Sequence, residues 1–219
     1  MTWVRGAEGA QSVREPRSSD VTRPPSSIPA VRGTRRLSQA IAEGDGISVL
    51  VEVRDADGAR AAERQGAEGL VLRSGGDGVR DATGLPLLAF QLEHADEADA
   101  LVVDVGALGD RLTARVDEVH ALGLECVLRV RDEEELEDVL ELFDPEILLL
   151  SAEDADDGQH HLDRLLELLP DVPAGKLAIA ELASATRDEV VELERAGVDA
   201  VIVTGHDVGP LVGDALPEV

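Results

Sequence analysis

The sequence predicts an α/β protein: a compact (β/α)8 barrel of TIM type, preceded by a disordered N-terminal tail. Three observations predict it. Between Ser48 and Thr204, eight short aliphatic runs alternate with amphipathic or turn-rich stretches, the texture of repeated βα units. The runs are almost continuously apolar, as in parallel strands buried on both faces. Hydrophobic residues make up 43% of the 219 residues, with two Phe, one Trp and no Tyr. Such a palette suits many small, closely packed elements in one sizeable domain.

In chain order, Met1–Ala40 mixes Ser, Pro, Gly and Arg around Pro24–Pro25 without sustained periodicity. Residues 1–45 therefore read as a disordered Arg/Ser/Pro-rich leader, or as residues upstream of the true start, and 46–219 as one barrel domain. The predicted strands are Ser48–Arg54, Leu70–Arg73, Leu87–Phe90, Leu101–Val105, Glu125–Val130, Ile147–Ser151, Leu177–Glu181 and Ala200–Thr204. A helix is expected over Asp55–Gln65, directly after the first strand. Leu108–Leu122 reads as a helix ended by Gly123, and Asp132 caps a segment running to Leu142. Leu162–Leu169 stops at Pro170. Thr186, with Glu189 three residues on, forms a capping box for a helix that ends before Gly197. The barrel is small against a usual size of about 250 residues, and the shortage is local. Ser74–Pro86 is Gly-rich, and only Gln91–Asp99 separates the third strand from the fourth. An open doubly wound sheet is the competing architecture, but no Gly-rich phosphate fingerprint follows the first strand.

The formal charge of −26 is unevenly placed. Met1–Ala40 holds seven Arg against Glu8, Glu15 and Asp20, a net +4, which leaves −30 on the rest. A body this acidic repels nucleic acid and anionic membranes, so neither is an expected partner. No apolar run approaches the roughly 20 residues a membrane span needs, and no signal-peptide pattern opens the chain. With Cys126 as the single cysteine, an intramolecular disulfide framework and a multi-cysteine metal site are excluded. The expected location is the cytoplasm.

Four segments carry a family resemblance. Ala121–Arg131 (ALGLECVLRVR) followed by Asp132–Glu137 resembles the fifth strand and next helix of indole-3-glycerol-phosphate synthase. Glu97–Leu108 (EADALVVDVGAL) is similar to its fourth unit, Ala196–Gly205 (AGVDAVIVTG) to its eighth, and Val51–Arg54 (VEVR) to its opening "AEVK". The likeness is collinear from Ser48 to the C-terminus. It implies a barrel that closes an anthranilate-linked deoxyribulose phosphate into indole glycerol phosphate, with decarboxylation and dehydration and without metal or organic cofactor. That chemistry needs an acid near the carbonyl, carboxylates to manage protons and a phosphate cradle.

Several family positions are changed. The lysine after strand three falls on Phe90, in Leu87–Phe90. The chain's single lysine, Lys176, precedes strand seven, at the end opposite a barrel's usual active site. The fifth-strand glutamate is Arg129, the asparagine after strand six falls on Ser151 or Ala152, and "ESGI" becomes Glu181–Ser184. Glu52, Glu181 and Gly205 remain, with Arg54 in place of a lysine. Arginine keeps the charge but cannot act as an acid near neutrality. The resemblance therefore implies a degenerate member, non-catalytic in that reaction, binding a phosphorylated small molecule or a protein partner. The alternative is an active divergent synthase or a repurposed phosphate-substrate enzyme.

Glu52, Arg54, Arg129 and Glu181 are expected at the barrel mouth, together with Arg73 and Asp104. One reading makes them an anion pocket, with Arg54, Arg73, Arg129 and Gly205 holding phosphate and Glu52 or Glu181 as the base if catalysis survives. The other makes them a self-satisfied ion-pair network that fills the old cavity. Asp154, Asp156, Asp157, His160 and His161 form a polar run after strand six that reads as a solvated loop, because neighbouring histidines converge poorly on one ion. His206–Asp207 reads as a loop pair, and Cys126 as a buried, inert thiol. No metal and no cofactor are expected.

Overall fold

The computed structural model describes residues 36–152, 161–182, 184–204 and 208–211. Eight parallel strands close on themselves in sequence order. They are β1 (Ser48–Glu52), β2 (Gly69–Leu72), β3 (Leu87–Ala89), β4 (Ala100–Asp104), β5 (Glu125–Val130), β6 (Ile147–Ser151), β7 (Leu177–Leu182) and β8 (Ala200–Val203). Val49 pairs with Val201 and Leu50 with Ile202, so β1 is bonded to β8 and the open-sheet alternative is excluded. The shortened third unit still closes, through only Leu88 with Ala100 and Ala89 with Leu101.

Side chains alternate across each strand, which divides the core in two. Leu50, Val71, Val102, Val127, Leu149, Ile179 and Ile202 form a cluster inside the barrel. Val49, Val51, Leu70, Leu128, Leu148, Leu150 and Val201 belong to a larger cluster between strands and helices. Both faces of every strand are thereby buried, which is why the runs read as continuously apolar.

The helices follow from their caps. α1 spans Arg36–Glu43 and α2 Ala56–Arg64; the Asp55 carboxylate accepts from the Gly58 amide to start α2. α3 (Val79–Ala82) is a single turn. The helix expected over Leu108–Leu122 is divided into α4 (Val105–Leu108), a 3-10 turn at Gly109–Arg111 and α5 (Leu112–Ala121). Gly109, at φ 47°, supplies the break. α6 (Glu133–Leu142) is capped by Asp132, and α7 spans His161–Leu168 before a 3-10 turn holding Pro170. α8 (Arg187–Ala196) carries the expected Thr186–Glu189 capping box and ends on left-handed Gly197.

The clearest departure from the sequence reading lies inside the segment assigned to the leader, residues 1–45. α1 belongs to the compact unit Arg32–Val219 and closes the barrel floor. Leu37 and Ile41 are buried and join the interior cluster. The Leu37 and Ser38 amides donate to the Glu125 carboxylate at 2.6 and 3.0 Å, so a residue of β5 caps this helix from outside. Arg36 pairs with buried Asp99 at 3.1 Å. Asp99 also accepts from Arg80 and from the Leu87 amide.

Candidate functional site

The C-terminal ends of the strands bring a ring of charged side chains together. Glu52 ends β1, Asp104 ends β4 and Ser151 ends β6, while Arg129 and Glu181 lie within β5 and β7. Arg73, Phe90 and Arg131 each follow the last residue of their strand. All occupy inward positions by the two-residue alternation, so their convergence is a consequence of register.

The ring is a connected network. The Arg73 guanidinium contacts Glu52 at 3.3 Å and also pairs with Glu181. Arg129, 6% exposed, donates from Nε to Glu181 at 2.9 Å, from one terminal nitrogen to Asp104 at 3.2 Å and from the other to Ser151 Oγ at 2.9 Å. Arg131 pairs with Asp104 and lies 3.4 Å from Glu135 of α6, whose other oxygen accepts from the Arg131 amide. Three guanidiniums thus meet Glu52, Asp104, Glu181 and Glu135. Buried charges require such partners.

Phe90 packs beneath this network. The Arg73 guanidinium carbon lies 3.7 Å from the centre of its ring, a cation–π contact. The aromatic face at the end of β3 thus supports an arginine of the neighbouring strand end.

Asp104 shows how the network sets protonation. Burial pushes its carboxyl upward. The Arg131 hydrogen bond, the Ala107 amide and the charges of Arg131 and Arg129 outweigh burial and leave it below its ordinary value. The same carboxylate caps α4, accepting from Ala107 at 3.0 Å, so the network is tied to the first turn after β4.

A cavity lined by Phe90, Asp104 and Arg129 opens on one side of the ring, and two more share Glu52 and Thr204. One, of about 220 Å³, is lined by Glu52, Arg73, Ser151, His161, Glu181 and Thr204. The other, of about 300 Å³, lies between β1 and α2 and is lined by Glu52, Arg54, Asp55, Ala62, Thr204 and Val208.

Of the residues singled out from sequence, the structure brings Glu52, Arg73, Arg129, Glu181 and Asp104 together. Arg54 stands apart from the network: it is exposed on the rim and makes no ion pair with a described carboxylate. Its carbonyl accepts from the Gly76 amide at 2.8 Å, and a Cβ on Gly75 would fall 2.4 Å from that oxygen, so the loop after β2 needs glycine there. Gly205, His206, Asp207, Asp154, Asp156, Asp157 and His160 lie outside the described residues. His161 opens α7 and lines the smaller cavity. Lys176 lies at the opposite end of the barrel, where it pairs with Asp144. Sequence reasoning missed Arg131 and Glu135. Extending the alternation Val127, Arg129, Arg131 past the strand end was the signal for the first; the second needs the position of α6.

No protein-family model matches the chain. The chain is similar to several curated indole-3-glycerol phosphate synthases. It is 30% identical over 208 residues to the indole-3-glycerol phosphate synthase of Methanopyrus kandleri, covering 78% of this chain and 81% of that protein. The synthase of Variovorax paradoxus is 29% identical over 183 residues, 76% of this chain and 64% of its own length. That of Geobacillus sp. is 28% identical over 139 residues, 57% of this chain and 52% of its length, so the chain spans about half the length of that relative. Among solved structures, N-acetylmannosamine-6-phosphate 2-epimerase from Clostridium perfringens superposes with a TM-score of 0.58 at 15% identity, covering 73% of this chain and 86% of that one. Thiamine phosphate pyrophosphorylase from Pyrococcus furiosus gives 0.58 at 16% identity, covering 75% and 90%. At such identities these two matches concern the fold alone.

Proposed function

The chain belongs to the indole-3-glycerol phosphate synthase family, and from that membership we propose that it is a degenerate, non-catalytic member whose mouth binds a phosphorylated small molecule. The observation that carries the proposal is Phe90. By the sequence resemblance it stands where the family carries a lysine; its ring supports Arg73, and Arg73 binds both Glu52 and Glu181. Ring closure and dehydration need a proton donor near the carbonyl. An arginine does not give up its proton near neutrality, and the chain's one lysine is at the far end of the barrel, paired with Asp144. The two carboxylates that remain from the family pattern are already engaged by guanidiniums. A base in that state must break an ion pair before it accepts a proton from substrate.

Binding is a separate matter. Arg54 is exposed on the rim of the cavity between β1 and α2 and makes no ion pair with a described carboxylate. A phosphate there would give it a charge-assisted partner. The ligand's uncharged part would rest against Ala62 and Val208, which line the same cavity.

The test is a pair of measurements on one purified sample, with the anthranilate-linked deoxyribulose phosphate as the compound. Indole product is followed by fluorescence and binding by calorimetry. The expected result is no turnover, with binding weakened about tenfold or more by Arg54→Ala, the scale of a lost charge-assisted hydrogen bond. Product at an enzyme-like rate, abolished by Glu52→Gln, would instead establish a divergent synthase working without the lysine. Neither product nor binding would remove the mouth as a ligand site.

A further inference from the structure

A groove remote from the mouth has features of its own. It lies at the N-terminal end of the barrel between α5 and the turn that follows α6, with a volume of about 320 Å³. Leu124, Cys126, Phe143 and Pro145 line it together with the carboxylates of Asp144 and Glu146. Two of the three most exposed large apolar side chains among the described residues flank it in sequence. Leu122, 46% exposed, falls between its lining residues His120 and Leu124, and Leu142, 65% exposed, immediately precedes Phe143. The groove thus offers apolar side chains with carboxylates among them, and an exposed leucine adjoins it in sequence on either side.

The charge around the groove selects what can approach. Asp117 and Glu118 of α5, Glu137, Asp138 and Glu141 of α6, and Asp144 and Glu146 in the turn that follows are all exposed. Among the described cations, Arg115 is 3.0 Å from Glu118 and Lys176 pairs with Asp144. A second copy of this chain would bring the same acidic α6 against the first in a twofold contact, and like charges would meet. Burying the leucines therefore requires a partner that carries positive charge.

We propose that this groove docks a basic segment of a partner protein, with aliphatic side chains seated beside Leu142 and Phe143 and flanking Lys or Arg against the acidic rim. The surface is independent of the mouth, and its occupancy does not depend on whether the mouth binds phosphate.

The test uses the full chain and two short fluorescent peptides of equal charge, one with Lys-Leu-Leu-Lys repeats and one with each Leu replaced by Ser. Anisotropy at physiological salt is expected to show the leucine peptide binding about tenfold or more tightly, the scale of burying an aliphatic side chain. Leu142→Ser should reduce that preference severalfold and leave the serine peptide unaffected. Because Leu142 is largely exposed, the substitution does not threaten folding, and circular dichroism of the variant checks this. Equal binding of the two peptides, or a preference that Leu142→Ser does not alter, overturns the proposal, since only net charge would be at work. Sedimentation equilibrium supplies the other arm: a dimer that Leu142→Ser dissociates would make a second copy the occupant and overturn the basic partner.

Discussion

Arg129 holds more of the mouth together than any other side chain described, since one guanidinium reaches Glu181, Asp104 and Ser151. Replacing it with methionine leaves two carboxylates short of a partner at a nearly dry position. Arg129→Met is expected to destabilise the fold by about 3 kcal/mol, as for other broken buried pairs, and urea denaturation measures it. Asp104 gives the network a pH dependence. Its folded value is lowered, so the stabilisation is present above the ordinary carboxylate value and is lost as pH falls through the folded one. The stability difference between the native chain and Asp104→Asn should shrink as urea titrations move to acid pH. A gap that stays constant with pH would show that Asp104 acts only as a cap. Cys126 runs the other way, because burial pushes its thiol up to about 12. A thiol reagent at mildly alkaline pH should react far more slowly with the native chain than with the urea-unfolded chain. At this scale the sequence was partly legible. Strand parity brought Glu52, Arg73, Arg129 and Glu181 together, whereas Arg54 shares the parity of Glu52 but lies a residue further past its strand end than Arg73 does, beyond the reach of the pleat.

Among elements, α1 was the least legible. Its eight residues bury only Leu37, Ser38 and Ile41, too short a stripe to stand out beside an Arg- and Pro-rich neighbourhood. The helix exists because residues far away in sequence receive it: Glu125 caps its amides and Asp99 binds Arg36. Leu37→Ala should cost about 3 kcal/mol in chemical denaturation, the usual range for a buried leucine. Glu125→Ala should cost a smaller amount, comparable with loss of an N-cap, about 1 kcal/mol. A wild-type midpoint for both variants would mean that the floor is closed by something other than α1. The capping box of α8 and the Asp132 cap were readable because both lie within three residues of the amides they satisfy. The division of α4 from α5 was not, since an isolated Gly109 is tolerated in a helix unless the packing bends the chain there.

For the molecule as a whole, the acidic surface and the ion-paired mouth respond differently to salt. The formal charge of −26 sets up repulsion that added salt screens, while the mouth pairs are largely removed from solvent and are screened less. The melting temperature should therefore rise between low and moderate sodium chloride. A fall would mean that exposed ion pairs outweigh the net repulsion. Barrel closure is also a property of this scale. β3 offers three residues, and the third unit returns through a 3-10 turn at Leu92–His94 in place of a helix. The ring still closes because seven other ladders hold the ends of the gap at strand spacing.

By itself the sequence determined the aliphatic strands, their number and order, the local caps, the family resemblance, and the loss of a lysine from the mouth. Each of these is carried by neighbouring residues or by composition, and needs no partner from elsewhere in the chain. Only the tertiary structure decided that the shortened units close, that α1 forms the floor, and that Arg73, Arg129 and Arg131 are spoken for by Glu52, Glu181, Asp104 and Glu135. Those outcomes depend on strand register and on contacts across long sequence separations, such as Glu125 with Leu37 and Arg73 with Glu181. A charge pattern along one chain does not contain them, because which guanidinium meets which carboxylate is settled only when the strands are placed side by side.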